Sequence, residues 1–138
     1  MHQERIRVTT HGEGDIIDIT TNIAEILKKS GVITGLLHVF VPGSTAAITT
    51  IEYEDGVLSD LNRSLRTIAP SDIQYRHDAR WGDGNGRSHV RAAIIGPSLT
   101  LPVSEGSLLL GTWQQVVLVE LDIRSVRERE IIVTVQGT

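Results

Sequence analysis

The side chains best suited to chemistry are concentrated in residues 77–91. These fifteen residues include two His, two Asp, one Asn, three Arg and three Gly. A segment this polar cannot form a core, and a plain linker rarely carries so many groups that bind metals, transfer protons or hold phosphate. The sequence therefore predicts that part of a functional site lies in this segment.

Two histidines of the segment, His77 and His89, are too far apart to share one helical turn, but a folded loop could bring them together. Neutral imidazole is a metal ligand, and near pH 7 it also donates or accepts protons. Asp83 and Asp78 add hard oxygen ligands for a divalent cation. We expect a metal or acid–base site here. The alternative is that His77 is a surface residue and that His89 only caps loop carbonyls at the start of a strand.

Several polar side chains outside residues 77–91 occupy positions where they need a hydrogen-bonding partner or a ligand. Ser44 and Thr45 follow a Pro-Gly turn, where hydroxyl and backbone N–H groups can bind an anion or simply form the turn. Glu52 and Glu54 end a predicted strand on one face, so one of them could point into a site. Gln114 begins a strongly apolar strand, where its amide must bond to the backbone or face a pocket.

A charged segment near the end of the chain interleaves Arg124, Arg127 and Arg129 with Glu128 and Glu130. This pattern is typical of a solvated or intersubunit ion-pair face. A phosphate-binding role for one of the arginines is the alternative.

Bulk properties limit the class of protein. The 138 residues fit a single domain, 1–138, with a core rich in Ile, Val and Leu. The absence of cysteine excludes disulfides, thiolate nucleophiles and cysteine-bound zinc. A net charge of −4 with dispersed basic residues argues against a general nucleic-acid binder. No apolar run approaches the ~20 residues of a membrane span, so we expect no membrane association and a cytoplasmic location.

Apolar periodicity predicts two helices, one ending at Gly31 and one over residues 57–68. It also predicts about nine strands, over residues 5–10, 15–19, 36–41, 46–52, 90–95, 99–103, 108–110, 113–121 and 130–135. The first two strands are expected to form a β-hairpin. This order indicates a β-rich α+β domain with a closed or sandwiched antiparallel sheet. Residues 113–121 are apolar on both faces, which predicts a central strand or one covered by a neighbouring subunit.

Taken together, several segments resemble the YjbQ family, described as secondary thiamine-phosphate synthases. The resemblance covers nearly the whole chain. Each motif is short and weak by itself, and the order of all the motifs along the chain makes the resemblance specific. The matching segments include Asp15-Ile16-Ile17-Asp18-Ile19-Thr20, Pro42-Gly43-Ser44-Thr45-Ala46-Ala47, Trp81-Gly82-Asp83-Gly84-Asn85-Gly86, Ser88-His89-Val90 and Leu110-Gly111-Thr112-Trp113-Gln114.

The resemblance implies a β-rich fold with two helices packed on a sheet, and a homotrimer with pockets near subunit boundaries. It also implies a weak activity that joins a hydroxymethylpyrimidine diphosphate to a thiazole phosphate, giving thiamine phosphate and pyrophosphate. The positions that match the polar motif of the family are Ser44, Thr45, Glu52, His77, Asp83, Asn85, His89 and Gln114. The chain departs from many relatives in having Arg91 where a Lys is common, and in lacking the Arg often found two residues after Glu120.

This chemistry assigns provisional roles to the residues. Displacing pyrophosphate requires neutralisation of the leaving group, for which we expect Arg91 and Arg87 together with Mg²⁺ or another divalent cation. The predicted metal ligands are His77, Asp83 and His89. The predicted catalytic residues are His89, Asp83, His77 and Glu52, and the predicted substrate-binding residues are Ser44, Thr45, Asn85, Arg91 and Gln114.

Two other functions fit the same residues. The chain could be a non-catalytic metabolite-binding trimer that uses the same pocket. Alternatively, it could be a metal-dependent hydrolase of a phosphorylated or acyl substrate that uses His77, Asp83 and His89.

Overall fold

Eight strands and four helices make up the computed structural model, which describes residues 1–138. In chain order they are β1 (His2–Thr10), β2 (Ile16–Asp18), α1 (Thr20–Ser30), β3 (Gly35–Phe40), β4 (Ala46–Ile51), α2 (Asp55–Ile68), α3 (Arg76–Trp81), α4 (Gly86–Ile95), β5 (Ser98–Ser104), β6 (Ser107–Leu108), β7 (Gln115–Glu120) and β8 (Arg127–Gly137). The predicted fold class, a β-rich α+β domain with sandwiched antiparallel sheets, is confirmed.

The strands form two sheets in which all neighbours are antiparallel. The larger sheet has the order β1-β8-β3-β5-β6, and the smaller sheet has the order β2-β7-β4. The inner faces of the two sheets, together with α1, enclose the larger of two hydrophobic cores. The smaller core lies on the opposite face of the three-stranded sheet, under α2 and α4.

Strand β7 contributes to both cores because successive side chains of a strand point to opposite faces. Val116 and Leu118 belong to the larger core, whereas Val117 and Val119 belong to the smaller one. All four side chains are fully buried. The prediction that residues 113–121 contain a central strand is therefore confirmed, and burial on both faces explains their continuous apolar sequence.

The predicted hairpin of the first two strands is wrong. β1 pairs with β8 in the larger sheet, and β2 pairs with β7 in the smaller one. The chain crosses between the sheets around Gly14, whose N–H donates to the carbonyl of Glu120 at 2.8 Å. Alternation of apolar and polar residues reports which face of a strand is buried, but it does not identify the neighbouring strand.

The structure has four helices rather than the predicted two. Helices α1 and α2 are confirmed, but residues 90–95, predicted as a strand, form the end of α4. Three buried residues of α4, Ser88, Arg91 and Ala92, follow the i, i+3, i+4 spacing of one helix face, and Gly86 is buried against Tyr75. Residues 90–95 are apolar except for Arg91, and a run of six residues is too short for periodicity alone to separate strand from helix.

The helices are short, the longest having 14 residues. None combines the length and the apolar character that crossing a membrane requires.

Candidate functional site

Helices α3 and α4 meet at a tight corner that positions the polar segment. Gly82, with φ of 71°, ends α3, and four residues later Gly86 begins α4. The N–H of Gly86 donates to Oδ1 of Asp78 at 2.8 Å. A Cβ on Gly86 would stand 2.6 Å from Cβ of Tyr75, so only glycine permits this close approach of the two helices.

The corner brings His77, Asp78, Asp83 and His89 together, and we call these four residues the open cluster. Nδ1 of His77 lies 3.2 Å from Oδ1 of Asp78 and 3.4 Å from Oδ1 of Asp83. The ring of His89 lies against that of His77, with 4.5 Å between the centroids. Asp83 is exposed and the other three side chains are half-buried. The cluster is therefore sheltered on one side and open to solvent on the other.

The open cluster contains a donor set suited to a cation. One ligand atom each from His77, Asp78 and Asp83 lies within 4.8 Å of the others. Burial would raise the pKa of Asp78, but hydrogen bonds from His77 and from the N–H of Gly86 outweigh it and hold the pKa below its ordinary value. Asp78 is thus an anionic ligand at neutral pH. It takes the place in this set that the sequence prediction gave to His89.

His89 also borders a cavity of about 280 Å³. Gly43 and Ser44, from the turn between β3 and β4, line the cavity opposite Ala92 and Ala93 of α4. Ser44 is exposed on this wall. The structure therefore places two sequence-predicted residues, Ser44 and His89, around one space large enough for a small anionic group.

Thr45 and Asn85, predicted as substrate-binding residues, bond instead to a buried carboxylate. Thr45 Oγ1 donates to Oδ2 of Asp122 at 2.9 Å, and Asn85 Nδ2 donates to the same oxygen at 3.2 Å. Nη1 of Arg127 completes the set at 2.5 Å from that oxygen. Asp122 is 2% exposed.

These bonds set the charge state of Asp122. Burial alone would raise its pKa. The N–H of Arg124 and the side chains of Asn85 and Thr45 oppose this by donating hydrogen bonds. With the positive charge of Arg127, they lower the pKa of Asp122 to about 2.

A second buried ion pair joins the two sheets. Nε and Nη2 of Arg129 on β8 donate to the two carboxylate oxygens of Glu120 on β7, at 2.8 and 2.5 Å. Thr10 Oγ1 also donates to Glu120. Burial would raise the pKa of Glu120, but the bonds from Arg129 and Thr10 lower it. We call this pair, together with Asp122, Arg127 and Thr45, the buried network.

The buried network corrects the prediction of a solvated ion-pair face. The side chain of Arg124 is 68% exposed and fits that prediction, but the side chain of Arg129 is 3% exposed. The sequence did hold a signal for this arrangement. Glu120 follows the four apolar residues 116–119 of β7, and a carboxylate in such a place must find a buried cation.

Arg91, predicted to bind substrate, is buried away from the open cluster. Its Nε and Nη2 donate to the carbonyl of Ala69 at 3.0 and 2.8 Å, and the residue is 4% exposed. Arg87 is also engaged, because its Nε donates to Glu13 at 2.9 Å. Positions 89 and 91 lie about 200° apart around a helix, so the guanidinium of Arg91 faces away from His89.

Glu52 and Gln114 lie apart from the open cluster. Ser44 lies two residues before the start of β4 and Glu52 directly follows its end, so the six residues of the strand, about 20 Å, separate them. Gln114 bonds to the backbone, as one of the two predictions for it stated: its Oε1 accepts from the N–H of Gly111 at 3.0 Å. Glu52 lines a separate cavity of about 300 Å³ with the 72% exposed Trp113.

Comparison with known proteins identifies relatives of the whole chain. The family described as UPF0047 protein YjbQ-like matches residues 4–138. The UPF0047 protein of Methanothermobacter thermautotrophicus is 39% identical over 137 residues, which are 99% of this chain and 93% of the relative. The UPF0047 protein YjbQ of Salmonella typhimurium is 39% identical over 123 residues, 86% of each chain.

Solved structures agree with these sequence matches. The crystal structure of a YbjQ-like protein of unknown function from Sulfolobus solfataricus superposes with a TM-score of 0.91 at 35% identity, covering 99% of this chain and 97% of that one. A YjbQ/UPF0047 family protein from Clostridium acetobutylicum gives a TM-score of 0.84 at 30% identity, covering 95% and 99%. Sequence and fold agree from end to end, and the chain therefore belongs to the YjbQ (UPF0047) family.

Proposed function

We propose that this chain is a low-efficiency transferase of the thiamine-phosphate synthase type, which joins hydroxymethylpyrimidine diphosphate to a thiazole phosphate and releases pyrophosphate. One observation carries the proposal. His77, Asp78 and Asp83 lie close enough to hold one cation, beside His89 and the cavity at Ser44. Negative charge develops on pyrophosphate as it leaves, and this charge must be neutralised. A cation held by these three residues would neutralise it.

The donor set favours certain cations. One imidazole nitrogen with two carboxylates suits a divalent ion such as Mn²⁺ or Zn²⁺ better than Mg²⁺, which prefers oxygen ligands. When bound, the ion would offset negative charge on the departing pyrophosphate. Arg91 bonds to Ala69 and is turned away, so within this corner His89 and a cation held by His77, Asp78 and Asp83 would perform that task.

The bond changes limit what the residues must do. The lone pair of the thiazole nitrogen forms the new C–N bond to the methylene carbon, while the C–O bond breaks and its electron pair leaves with pyrophosphate. The attacking nitrogen carries no proton, so the reaction needs no strong general base. In this proposal His89 donates a hydrogen bond to the leaving phosphate, and Ser44 orients a phosphate oxygen in the cavity.

The test is to incubate the purified protein with both substrates, with Mg²⁺, with Mn²⁺ and with EDTA, and to measure thiamine phosphate. We expect product with metal and a loss of about 100-fold or more in EDTA, in His89→Ala and in Asp83→Asn. His11→Ala and Asp60→Asn are matched controls, because both side chains are largely exposed and outside the open cluster. Product formation that is unchanged by EDTA and by His89→Ala would contradict the proposal.

The same assay separates two other functions. The open cluster could equally hold a cation that activates water, as in a metal-dependent hydrolase. Metal-dependent loss of the diphosphate substrate without thiazole phosphate would favour hydrolysis. Saturable binding of either substrate without any turnover would favour a metabolite-binding protein.

We also propose that the chain assembles as a homotrimer. Large apolar side chains are exposed on the single chain, among them Trp113 at 72% and Ile68 at 60%. The predicted site residues also lie at both ends of β4, and neighbouring subunits in a trimer could bring the two ends together. Light scattering after size-exclusion chromatography should give three times the mass of the chain, and a monomer would contradict the proposal.

A further inference from the structure

The cavity bordered by Ser44 and His89 is lined mainly by small residues without polar side chains. Five of its seven lining residues are glycine, alanine or proline: Gly43, Ala46, Ala92, Ala93 and Pro97. Ser44 and His89 supply the only polar side chains. We call the three alanines the alanine wall. Because this wall offers no hydrogen-bonding side chain, it suits the uncharged, apolar part of a ligand.

Helix α4 supplies most of one side of the cavity. His89, Ala92 and Ala93 follow the i, i+3, i+4 spacing of one helix face. Since the two residues that follow His89 on this face are alanines, the space beside the imidazole stays open. A leucine at either position would add three carbon atoms and fill part of this space.

Two backbone hydrogen bonds hold the two sides of the cavity together. The N–H of Val41, just after β3, donates to the carbonyl of Pro97 at 2.9 Å. The N–H of Ile48 on β4 donates to the carbonyl of Gly96, at the end of α4, at 3.0 Å. The turn that carries Ser44 and the end of α4 are therefore fixed to each other, and the cavity is formed before a ligand enters.

The size of the cavity limits its ligand to about one ring. Its volume of about 280 Å³ lies just below the range of about 300–1,000 Å³ that is typical of sites for drug-sized molecules. An aminopyrimidine ring has several polar atoms that each need a hydrogen-bonding partner, and the alanine wall provides none. A methyl-substituted thiazole ring has a mostly apolar surface, which matches the wall better.

We infer that the alanine wall binds the ring of the thiazole phosphate, with the phosphate of that substrate directed toward Ser44. The inference rests on the proposed function and deepens it. It assigns the thiazole phosphate to the cavity and the diphosphate substrate to the open cluster, and His89 borders both. Ala93 is then a specificity-determining residue, because its small side chain leaves room for the ring.

The test titrates the full-length protein with 4-methylthiazole in EDTA and follows the amide signals by nuclear magnetic resonance. This probe carries neither charge nor phosphate at neutral pH, so its binding reports on the alanine wall and not on the cation. We expect saturable shifts at Ser44, Ala92 and Ala93, with a Kd in the millimolar range. The inference is overturned if the wild type does not bind the probe or if the shifts lie outside the cavity.

A pair of variants measures the contribution of Ala93. In Ala93→Leu the affinity for 4-methylthiazole should fall by about tenfold or more, because the larger side chain occupies the cavity. Ala24→Leu is the matched control, since Ala24 is also an exposed alanine on a helix but does not line the cavity. Its affinity should equal that of the wild type. Equal binding by folded Ala93→Leu and Ala24→Leu would overturn the inference.

The transferase assay separates this inference from the proposed function. In Ala93→Leu the KM for thiazole phosphate should rise by about tenfold or more, whereas the KM for the diphosphate substrate should stay unchanged. A rise in both KM values would overturn the assignment of the two substrates. If the protein binds 4-methylthiazole at the alanine wall but forms no thiamine phosphate, the ring-binding role of the cavity is supported and only the transferase reaction is contradicted.

Discussion

The open cluster and the buried network are neighbours built in opposite ways. In the buried network, the carboxylates of Glu120 and Asp122 each accept several hydrogen bonds and face an arginine. In the open cluster, Asp78 and Asp83 approach one histidine, and the side chain of Asp83 is 48% exposed. Groups that are fully bonded stabilise a fold, whereas groups left partly unbonded are available to a ligand.

Asn85 connects the two regions. Its Nδ2 donates to Asp122 in the buried network, and its Oδ1 accepts from the N–H of Ile123 at 3.4 Å. Its own N–H donates to Oδ1 of Asp83 in the open cluster, at 3.1 Å. The buried network therefore fixes the loop that carries the exposed Asp83, and these hydrogen bonds give a surface loop a defined geometry.

The largest effect on stability should come from breaking the buried pair. Glu120→Gln leaves the charge of Arg129 buried without a carboxylate, and we expect a loss of about 3–5 kcal/mol in the free energy of unfolding. The control is Glu128→Gln, an exposed glutamate, which should cost about 0.5 kcal/mol or less. Urea unfolding of the two variants measures the difference.

A double variant distinguishes the cost of an unpaired buried charge from a general failure of the variant to fold. Glu120→Gln with Arg129→Met removes the charge as well as its partner, and it should recover part of the lost stability. If Glu120→Gln were as stable as Glu128→Gln, the buried pair would not hold the two sheets together.

The second effect is a dependence of stability on pH. The pKa of Asp122 falls from 3.8 to about 2 on folding, so its contribution is complete above pH about 4 and is lost as pH falls toward about 2. By linkage the contribution is about 2 kcal/mol at neutral pH. Asp122→Asn should therefore be less stable than the wild type at pH 7, and the gap should shrink below pH 4.

Urea midpoints at several values between pH 7 and pH 2 would show this change. The exposed Asp60→Asn serves as the control, and its difference from the wild type should be small throughout. A gap between Asp122→Asn and the wild type that stays constant with pH would mean that Asp122 acts through packing rather than charge.

Sequence reasoning succeeded where the chain is periodic. Helices α1 and α2 carry a clear apolar face, and the unbroken apolar run of β7 indicated a strand covered on both sides. It failed for α3 and α4, because the polar, glycine-rich segment has no period to detect. The apolar neighbours of Glu120 indicate that it needs a buried cation, but they do not identify Arg129 as that cation, since the two residues meet only through the packing of two sheets.

Arg91 lies away from the open cluster because residues 90–95 form a helix and not the predicted strand. In a strand, positions i and i+2 share one face, so Arg91 would have stood on the same side as His89. In the helix that actually forms, the two side chains point in nearly opposite directions. Density of polar residues was enough to find the open cluster, but assigning roles within it required the correct element.

The smallest effect on stability should come from the open cluster. Asp83→Asn removes one of two neighbouring carboxylates from a half-exposed position but keeps Oδ1 as an acceptor for the N–H of Asn85. Relief of the repulsion between the carboxylates should therefore roughly balance the weaker hydrogen bond from Asn85. We expect a change of about 0.5 kcal/mol or less in the free energy of unfolding.

The effect of the same variant on cation binding should be large. Mn²⁺ should raise the melting temperature of the wild type by mass action and leave that of Asp83→Asn nearly unchanged. Equal stabilisation of both proteins by Mn²⁺ would show that the open cluster does not hold the cation, whereas a large loss of stability without metal would place Asp83 with the structural groups.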